Sequence, residues 1–362
     1  MQKSKPIDYF FLFSVLALSA IGLIMVFSAS PTMAIKHGDT FYYLKKQLFY
    51  IAIGVIALLY GLRLDLDNLK SKTYPIMGIA IFLLALVFVP GVGRKVLGAS
   101  RWIDLGILSF QPSEFIKFAM VLFMAKWLTD NQEHVGDLIK GFVPPLFWLG
   151  LVSLLILKQP DLGTVITIGA TVFAMLLVAG VNTNYLLSLG SLAGIGVLII
   201  SLTTPYRMRR LLAFVDPWKD PQGVGFHIIQ SLLAVGSGGL FGLGLGGSRQ
   251  KFFYLPQQFT DFIFAITCEE LGFIGGVGIV ALFAFFAFRG FKIAVATPDR
   301  FKYLLVTGLV SWITLQAIIN ISVVLGLIPT TGIPLPFISY GGTATILNLF
   351  AVGLVLNVSR KP

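Results

Sequence analysis

Three carboxylates in this chain stand where apolar stretches begin, each near basic or amide side chains, a setting suited to acid–base chemistry on an anionic substrate. Glu114 lies in Gln111-Pro112-Ser113-Glu114-Phe115-Ile116-Lys117. Proline and glutamate both suit a first helical turn. A spacing of three puts Glu114 and Lys117 on one helix face as a local ion pair. Lys117 falls a full turn into the apolar region, where an ionisable group is a candidate for function. Asp161 follows Lys158-Gln159-Pro160 and precedes Leu162-Gly163-Thr164. It suits a helix N-cap, and alternation of spans puts it on the same membrane face as Glu114. Asp261 follows Tyr254-Leu255-Pro256-Gln257-Gln258-Phe259-Thr260. Capping of the next helix by Thr260 or Asp261 is the plainer role. The aromatic approach, the two glutamines and the basic stretch before it speak for a functional one. Glu269 and Glu270 fall about two turns deeper, a costly depth unless they face the protein interior.

The basic stretch runs from Pro205 to Thr260 and carries Arg207, Arg209, Arg210, Lys219, Arg249 and Lys251. It is expected not to cross a membrane, and a cationic loop at the membrane rim suits an anionic, membrane-bound substrate. Its glycines from Gly236 to Gly247 are not followed by Gly-Lys-Ser/Thr, so they form no phosphate-binding P-loop. A flexible lid or a re-entrant segment fits them better. Pro329 to Pro336, then Ser339-Tyr340-Gly341-Gly342, reads as a rigid turn ending in a glycine pair. His37, His134 and His227 are scattered without metal-ligand spacing, so any cation would be bound by oxygen, as magnesium is. No Ser-His-Asp arrangement is inferable.

The elements that must position these groups are membrane helices. Of 362 residues, 56% are hydrophobic and 12% charged, and the mean hydropathy is +0.88; a water-soluble domain carries about 25% charged residues. The apolar runs are continuous rather than alternating, which excludes a β-barrel. The pattern predicts an all-α polytopic membrane protein with ten spans, near 8–29, 45–63, 73–90, 113–129, 142–158, 161–180, 184–204, 261–288, 302–327 and 340–358. The whole chain, 1–362, reads as one membrane domain, with residues 205–260 as a large extracellular loop between helices 7 and 8. The first apolar stretch is too long for a signal-peptide core and is expected to be the first membrane helix. With the N-terminus inside and the long loop set aside, thirteen Lys and Arg face inward and seven outward, as the positive-inside rule requires. The net charge of +11 points to lipid phosphate and not to nucleic acid, since no basic helix with interleaved aromatics occurs. Cys268 is single and lies in an apolar span, which excludes a disulfide framework.

Taken together, the motifs resemble the shape, elongation, division and sporulation family, that of FtsW, RodA and SpoVE, over essentially the whole chain. The matching stretches are Gly98-Ala99-Ser100-Arg101-Trp102-Ile103, Gln111-Pro112-Ser113-Glu114, Gln159-Pro160-Asp161-Leu162-Gly163-Thr164, Asp216-Pro217-Trp218, Phe253-Tyr254-Leu255-Pro256, Thr260-Asp261-Phe262-Ile263-Phe264-Ala265, Glu269-Glu270-Leu271-Gly272 and Leu335-Pro336-Phe337-Ile338-Ser339-Tyr340-Gly341-Gly342. Asp216-Pro217-Trp218 and Ser248-Arg249-Gln250-Lys251 are more similar to the FtsW and SpoVE branches than to RodA. Two departures stand out: Thr343-Ala344 where Ser-Ser is frequent, and His227 where glutamine is common.

The resemblance implies a peptidoglycan glycosyltransferase that polymerises lipid II on the outer face of the cytoplasmic membrane, beside a class B penicillin-binding protein. It maps the family's essential aspartate onto Asp261, its intramembrane acid and base onto Glu114 and Lys117, and its outer arginine onto Arg101. On that basis Asp261 is expected to be the general base. Lys117, Arg101, Arg207, Arg209 and Arg210 are candidates to hold the departing lipid diphosphate, with magnesium or manganese as an option beside them. Asp161, Gln257, Thr260 and Ser339 complete the expected substrate contacts. Two rival readings are a lipid II flippase and a non-catalytic recruiter of the transpeptidase. One option for the partner's contact surface is the eighth and ninth spans, with Phe283, Phe285 and Phe286.

Overall fold

The computed structural model describes residues 6–35, 38–96, 99–104, 106, 109–251, 255 and 258–360. The long apolar stretches form helices: α1 (Tyr9–Ala29), α2 (Tyr42–Arg63), α3 (Thr73–Leu86), α4 (Pro112–Asp130), α5 (Leu138–Lys158), α6 (Leu162–Val178) and α7 (Thr183–Thr203). Two further helices, α8 (Pro205–Val215) and α9 (Phe226–Ser237), precede α10 (Ile263–Val295), α11 (Arg300–Val324) and α12 (Gly342–Arg360). Polar side chains start several of them: Asp8 accepts from the Phe11 amide, Asp161 from Thr164 and Asp299 from Lys302, which satisfies amides that have no intrahelical partner.

The protein is a polytopic helical membrane protein. Among the described residues α1, α2, α5, α7, α10, α11 and α12 are long and apolar enough to cross a membrane. The other three expected spans fall on α3, α4 and α6. α3 and α6 have 14 and 17 residues, about 20–26 Å at the helical rise. α4 carries Glu114, Lys117, Lys126 and Asp130.

The centre of the bundle is α4, α11 and α12, whose residues from Met120 to Ala125 and from Leu304 to Ile313 are almost wholly buried. Without a hydrophobic drive between helices in lipid, close approach depends on small residues. Gly353 of α12 shows this: a Cβ there would lie 2.3 Å from the Leu58 carbonyl of α2. By contrast α7 exposes Leu187, Leu192, Ile195, Leu198 and Ile199, the surface of a helix bathed in lipid.

Three features depart from the sequence expectation. A small antiparallel sheet, β1 (Gly93–Val96), β2 (Ala99–Asp104) and β3 (Ser109–Phe110), stands between α3 and α4 in the order β1-β2-β3. β2 carries Arg101, and Ile103 pairs with Phe110 across β2–β3. These strands are too short for an alternating pattern to announce them. Secondly, the segment 205–260 is not plain loop but holds α8 and α9. Thirdly, α10 is broken at Gly272, whose φ of 69° is left-handed. Phe283 and Phe286 of α10 are buried, and Phe286 stacks on Phe11 with ring centroids 4.8 Å apart. Phe286 therefore belongs to the α1–α10 contact, and neither it nor the buried Phe283 offers the partner surface raised as an option from the sequence; Phe285 is half-buried.

Candidate active site

Asp261 lies in the turn that enters α10, and the turn is fixed by its main chain. Ser339 donates its hydroxyl to the Thr260 carbonyl at 2.6 Å, and the Tyr340 amide donates to the Phe259 carbonyl at 2.9 Å. The Asn320 side-chain amide donates to the Asp261 carbonyl at 2.7 Å. The Gln258 amide reaches back to the Ala29 carbonyl at 2.8 Å and the Thr32 hydroxyl at 2.9 Å. The N-cap of α10 is Phe262, with no side-chain capping bond. Capping, the plainer role for Thr260 or Asp261, is therefore not what Asp261 does. Among the described residues no hydrogen bond or ion pair engages its carboxylate. That group keeps part of its surface open but is ringed by protein, and burial pushes its pKa up to about 6. Asp161 adds to the rise, while Arg210 and Arg101 oppose it.

The arginines converge from two elements. Arg101 on β2 donates through Nε to the Gln159 carbonyl at 2.9 Å and through Nη2 to the Pro160 carbonyl at 2.6 Å; its Nη1 lies 3.9 Å from Asp161 Oδ2. Asp161 meanwhile accepts from the Thr164 amide at 3.1 Å and hydroxyl at 3.0 Å, so it is both a cap and part of the charged group. α8 is amphipathic, and its spacing of three turns Arg207 and Arg210 the same way while Arg209 stays exposed. Arg210 donates to the Thr330 carbonyl at 3.0 Å and stacks over Tyr206 at 4.5 Å. Burial and the nearby Arg101 both lower the pKa of Arg207 from its ordinary value, yet an arginine remains cationic. The arrangement is one carboxylate with its pKa raised to about 6 and two cations, Arg210 and Arg101, near enough to oppose the rise, with Arg207 close to Arg101.

Glu114 and Lys117 pair as their spacing predicts, with Lys117 Nζ 2.8 Å from Glu114 Oε1. Both are buried. Lys117 also donates to Gln316 Oε1 at 2.7 Å and lies 5.3 Å from the centre of the Trp312 ring. Gln316 in turn donates to the Pro334 carbonyl at 2.9 Å, and Asn320, one turn on, to the Ile333 carbonyl at 2.7 Å. The buried pair thus reaches Asp261 through α11 and the 331–334 segment rather than by contact. Gln316 and Asn320 were missed in the sequence, although two amides four apart inside an apolar span are a readable signal. Glu114 Oε2 is buried, with no hydrogen-bond partner among the described residues.

Glu269 and Glu270 form a separate buried network. Glu270 accepts from Ser28 at 2.7 Å and pairs with Lys251 at 3.1 Å, while Glu269 accepts from the Arg249 amide at 2.9 Å and from the Ser248 hydroxyl. The glycine run packs on this part of α10. Leu243 and Gly244 donate to the carbonyls of Glu269 and Glu270, both at 3.0 Å, and Phe273 donates to the Gly239 carbonyl at 2.8 Å. A Cβ on Gly242 would lie 2.1 Å from the Glu270 carbonyl, so only glycine permits this approach. His227 stacks on Phe262 at 5.8 Å, and burial, with Arg210, holds its pKa below the usual value. Gln257 lies outside the described residues.

Comparison with known proteins gives one answer along the whole chain. Residues 9–362 match the family model described as cell cycle protein, FtsW/RodA/SpoVE. Stage V sporulation protein E of Bacillus subtilis is 48% identical over 99% of this chain and 98% of its own. The probable peptidoglycan glycosyltransferase FtsW of Geobacter sp. strain M18 is 42% identical over 100% and 99%. A chain from a peptidoglycan synthase complex superposes with a TM-score of 0.79 at 32% identity, covering 98% of both chains. Rod shape determining protein RodA of Thermus thermophilus superposes with a TM-score of 0.74 at 30% identity, over 98% of both.

Proposed function

We propose that this chain, which belongs to the FtsW/RodA/SpoVE family of cell cycle proteins, is a peptidoglycan glycosyltransferase of cell division or sporulation that uses Asp261 as its general base. The observation that carries the assignment is the Asp261 carboxylate itself: held by its main chain, engaged by no protein group among the described residues, with a pKa raised to about 6 and cations near it. A base is most effective when its pKa approaches the working pH.

In this reading the substrate is lipid II. The 4-hydroxyl of the acceptor sugar gives its proton to Asp261 as its oxygen bonds to the anomeric carbon of the growing chain. The bond from that carbon to the lipid diphosphate breaks, and the diphosphate leaves with the electron pair. One displacement inverts an α-linked donor to a β-1,4 glycan. Arg101, Arg207 and Arg210 supply positive charge where the leaving group gains negative charge. Asp161 orients Arg101, and Ser339 and Thr260 hold the Asp261 turn. Glu114 and Lys117 act as positioning residues through Gln316. Among the described residues no three His, Cys, Asp or Glu side chains converge on a metal position. Magnesium often binds through one or two carboxylates plus substrate phosphates, so magnesium or manganese would be carried in with the diphosphate, with Asp161 as the nearest carboxylate to Arg101.

The reading takes α3, α4 and α6 as completing ten crossings and sets the site at the outer face of the cytoplasmic membrane, where the distribution of short-loop Lys and Arg puts the start of α10. It also takes a class B penicillin-binding protein as partner, supported by similarity to a chain solved in a synthase complex. A flippase needs a polar route through the bundle. The space beside Lys117, lined by Met120, Val121, Ile168, Thr171, Val172 and Trp312, has no room for water, and the groups gathered around Asp261 speak for polymerisation. The test is to supply fluorescent lipid II to the purified protein with its transpeptidase and, separately, to vesicles carrying the protein. Polymer without transbilayer movement supports the assignment; movement without polymer overturns it.

A further inference from the structure

We propose that the glycine-rich run is a re-entrant wedge that carries Leu240, Phe241, Leu243 and Leu245 into the hydrocarbon of the bilayer leaflet on the Asp261 side. The partner of this surface is lipid acyl chain. The inference requires that α10 crosses a membrane and does not depend on the reaction assigned above.

Four observations carry it. From Phe226 to Gly247 the chain contains no Asp, Glu, Lys or Arg, so a long stretch of the segment expected outside the membrane has no formal charge to keep it there. Leu240, Phe241, Leu243 and Leu245 are 63%, 80%, 45% and 62% exposed, a succession of large apolar side chains that water would not favour. They adjoin Phe273, Ile274 and Val277 of α10, themselves 64%, 56% and 47% exposed, so the surface continues that of a membrane-spanning helix. Depth agrees as well. The Phe273 amide meets Gly239 ten residues after Ile263, about 15 Å along the helix, against a hydrocarbon half-thickness of about 15 Å.

The obstacle to burying a loop in lipid is its unpaired backbone, and the break in α10 meets it. The left-handed Gly272 frees the carbonyls of Glu269 and Glu270 and the amides of Phe273 and Ile274 from helical pairing. The wedge takes them up through Leu243, Gly244, Gly239 and Leu240 at 2.8–3.2 Å. Within the wedge Gly242 donates to the Gly238 carbonyl at 2.8 Å, and Lys251 Nζ to the Gly246 carbonyl at 2.6 Å. Helix break and glycine turn are two halves of one backbone arrangement at membrane depth.

The test places a nitroxide at Phe241→Cys, and separately at Leu245→Cys, in full-length protein with Cys268→Ala, reconstituted in liposomes. Collisions with oxygen and with a water-soluble nickel chelate are measured. Ile195→Cys on α7 serves as the lipid reference and Lys219→Cys as the aqueous one. The proposal expects oxygen-to-nickel ratios at both wedge positions to match Ile195→Cys and to exceed Lys219→Cys severalfold. Ratios like that of Lys219→Cys would overturn it. So would labels shielded from both reagents, which would mean that a second copy or another protein covers the surface.

Discussion

Asn320 donates its side-chain amide to the main-chain carbonyl of Asp261 at 2.7 Å, and the same nitrogen lies 2.7 Å from the carbonyl of Ile333. The Asp261 turn is thereby tied to a central helix through its backbone, which leaves the carboxylate out of that contact. One turn earlier Gln316 performs the matching task between Lys117 and Pro334. α11 therefore works as a rigid rail with two amide hooks.

Removing a hook should misplace the base without removing it. Asn320→Ala leaves two carbonyls short of a donor, at about 1–3 kcal/mol per unsatisfied buried group. A displacement of the base on the order of 1 Å costs about a hundredfold in rate. Initial rates of glycan synthesis are expected to fall at least tenfold with kcat lowered and KM little changed. A loss confined to KM would mean that Asn320 serves substrate binding instead.

The raised pKa of Asp261 predicts opposite effects on rate and stability. As a base it works ionised, so the rate should rise with pH through about 6 and level off above. The fold favours the protonated form, so the stability this group contributes is present below about pH 4 and is lost as pH rises towards 6. At pH 7.5 the ionised carboxylate then costs the fold on the order of 1–3 kcal/mol. Asp261→Asn should unfold at a higher temperature than wild type at pH 7.5, and the gap should close at pH 4. Thermal unfolding in detergent at both pH values checks the sign.

The Glu114–Lys117 pair should show the asymmetry of buried charge. Lys117→Met strands a carboxylate whose second oxygen already lacks a partner among the described residues, at about 3–5 kcal/mol. Adding Glu114→Gln removes the stranded charge and should recover most of the loss. Unfolding of the single and double variants measures the coupling; equal destabilisation in both would rule out the ion pair as its source.

Gly272→Ala should separate the wedge from α10. The position has a left-handed φ of 69°, and a Cβ there would lie 2.3 Å from the Gly242 nitrogen. An alanine is expected to cost at least about 1 kcal/mol, seen as a lower unfolding temperature and faster proteolysis between Gly236 and Lys251.

How much of this was legible follows from the range of each interaction. Glu114 and Lys117 were readable because helical spacing alone brings them together, and Asp161 because a cap is local. Asp261 was singled out by its company, yet its freedom from capping shows only when Asn320, Ser339 and Tyr340 pin the turn from distant parts of the chain. The glycine run left a lid and a re-entrant segment both open. Its pairing of Gly239–Gly244 with Glu269–Ile274 spans some thirty residues, which no periodicity records. Phe283 and Phe286 looked like a docking face because an apolar stripe on a membrane helix reads the same whether it meets lipid, a partner or α1.

The most direct test of the central claim is glycan synthesis from lipid II by the protein with its transpeptidase partner, wild type against Asp261→Asn, with partner binding shown unchanged. Loss of a general base costs about 10²–10⁴ in rate, so the variant should make no detectable polymer at pH 7.5 while binding its partner normally. Equal polymer from both proteins would contradict the account and move the base elsewhere.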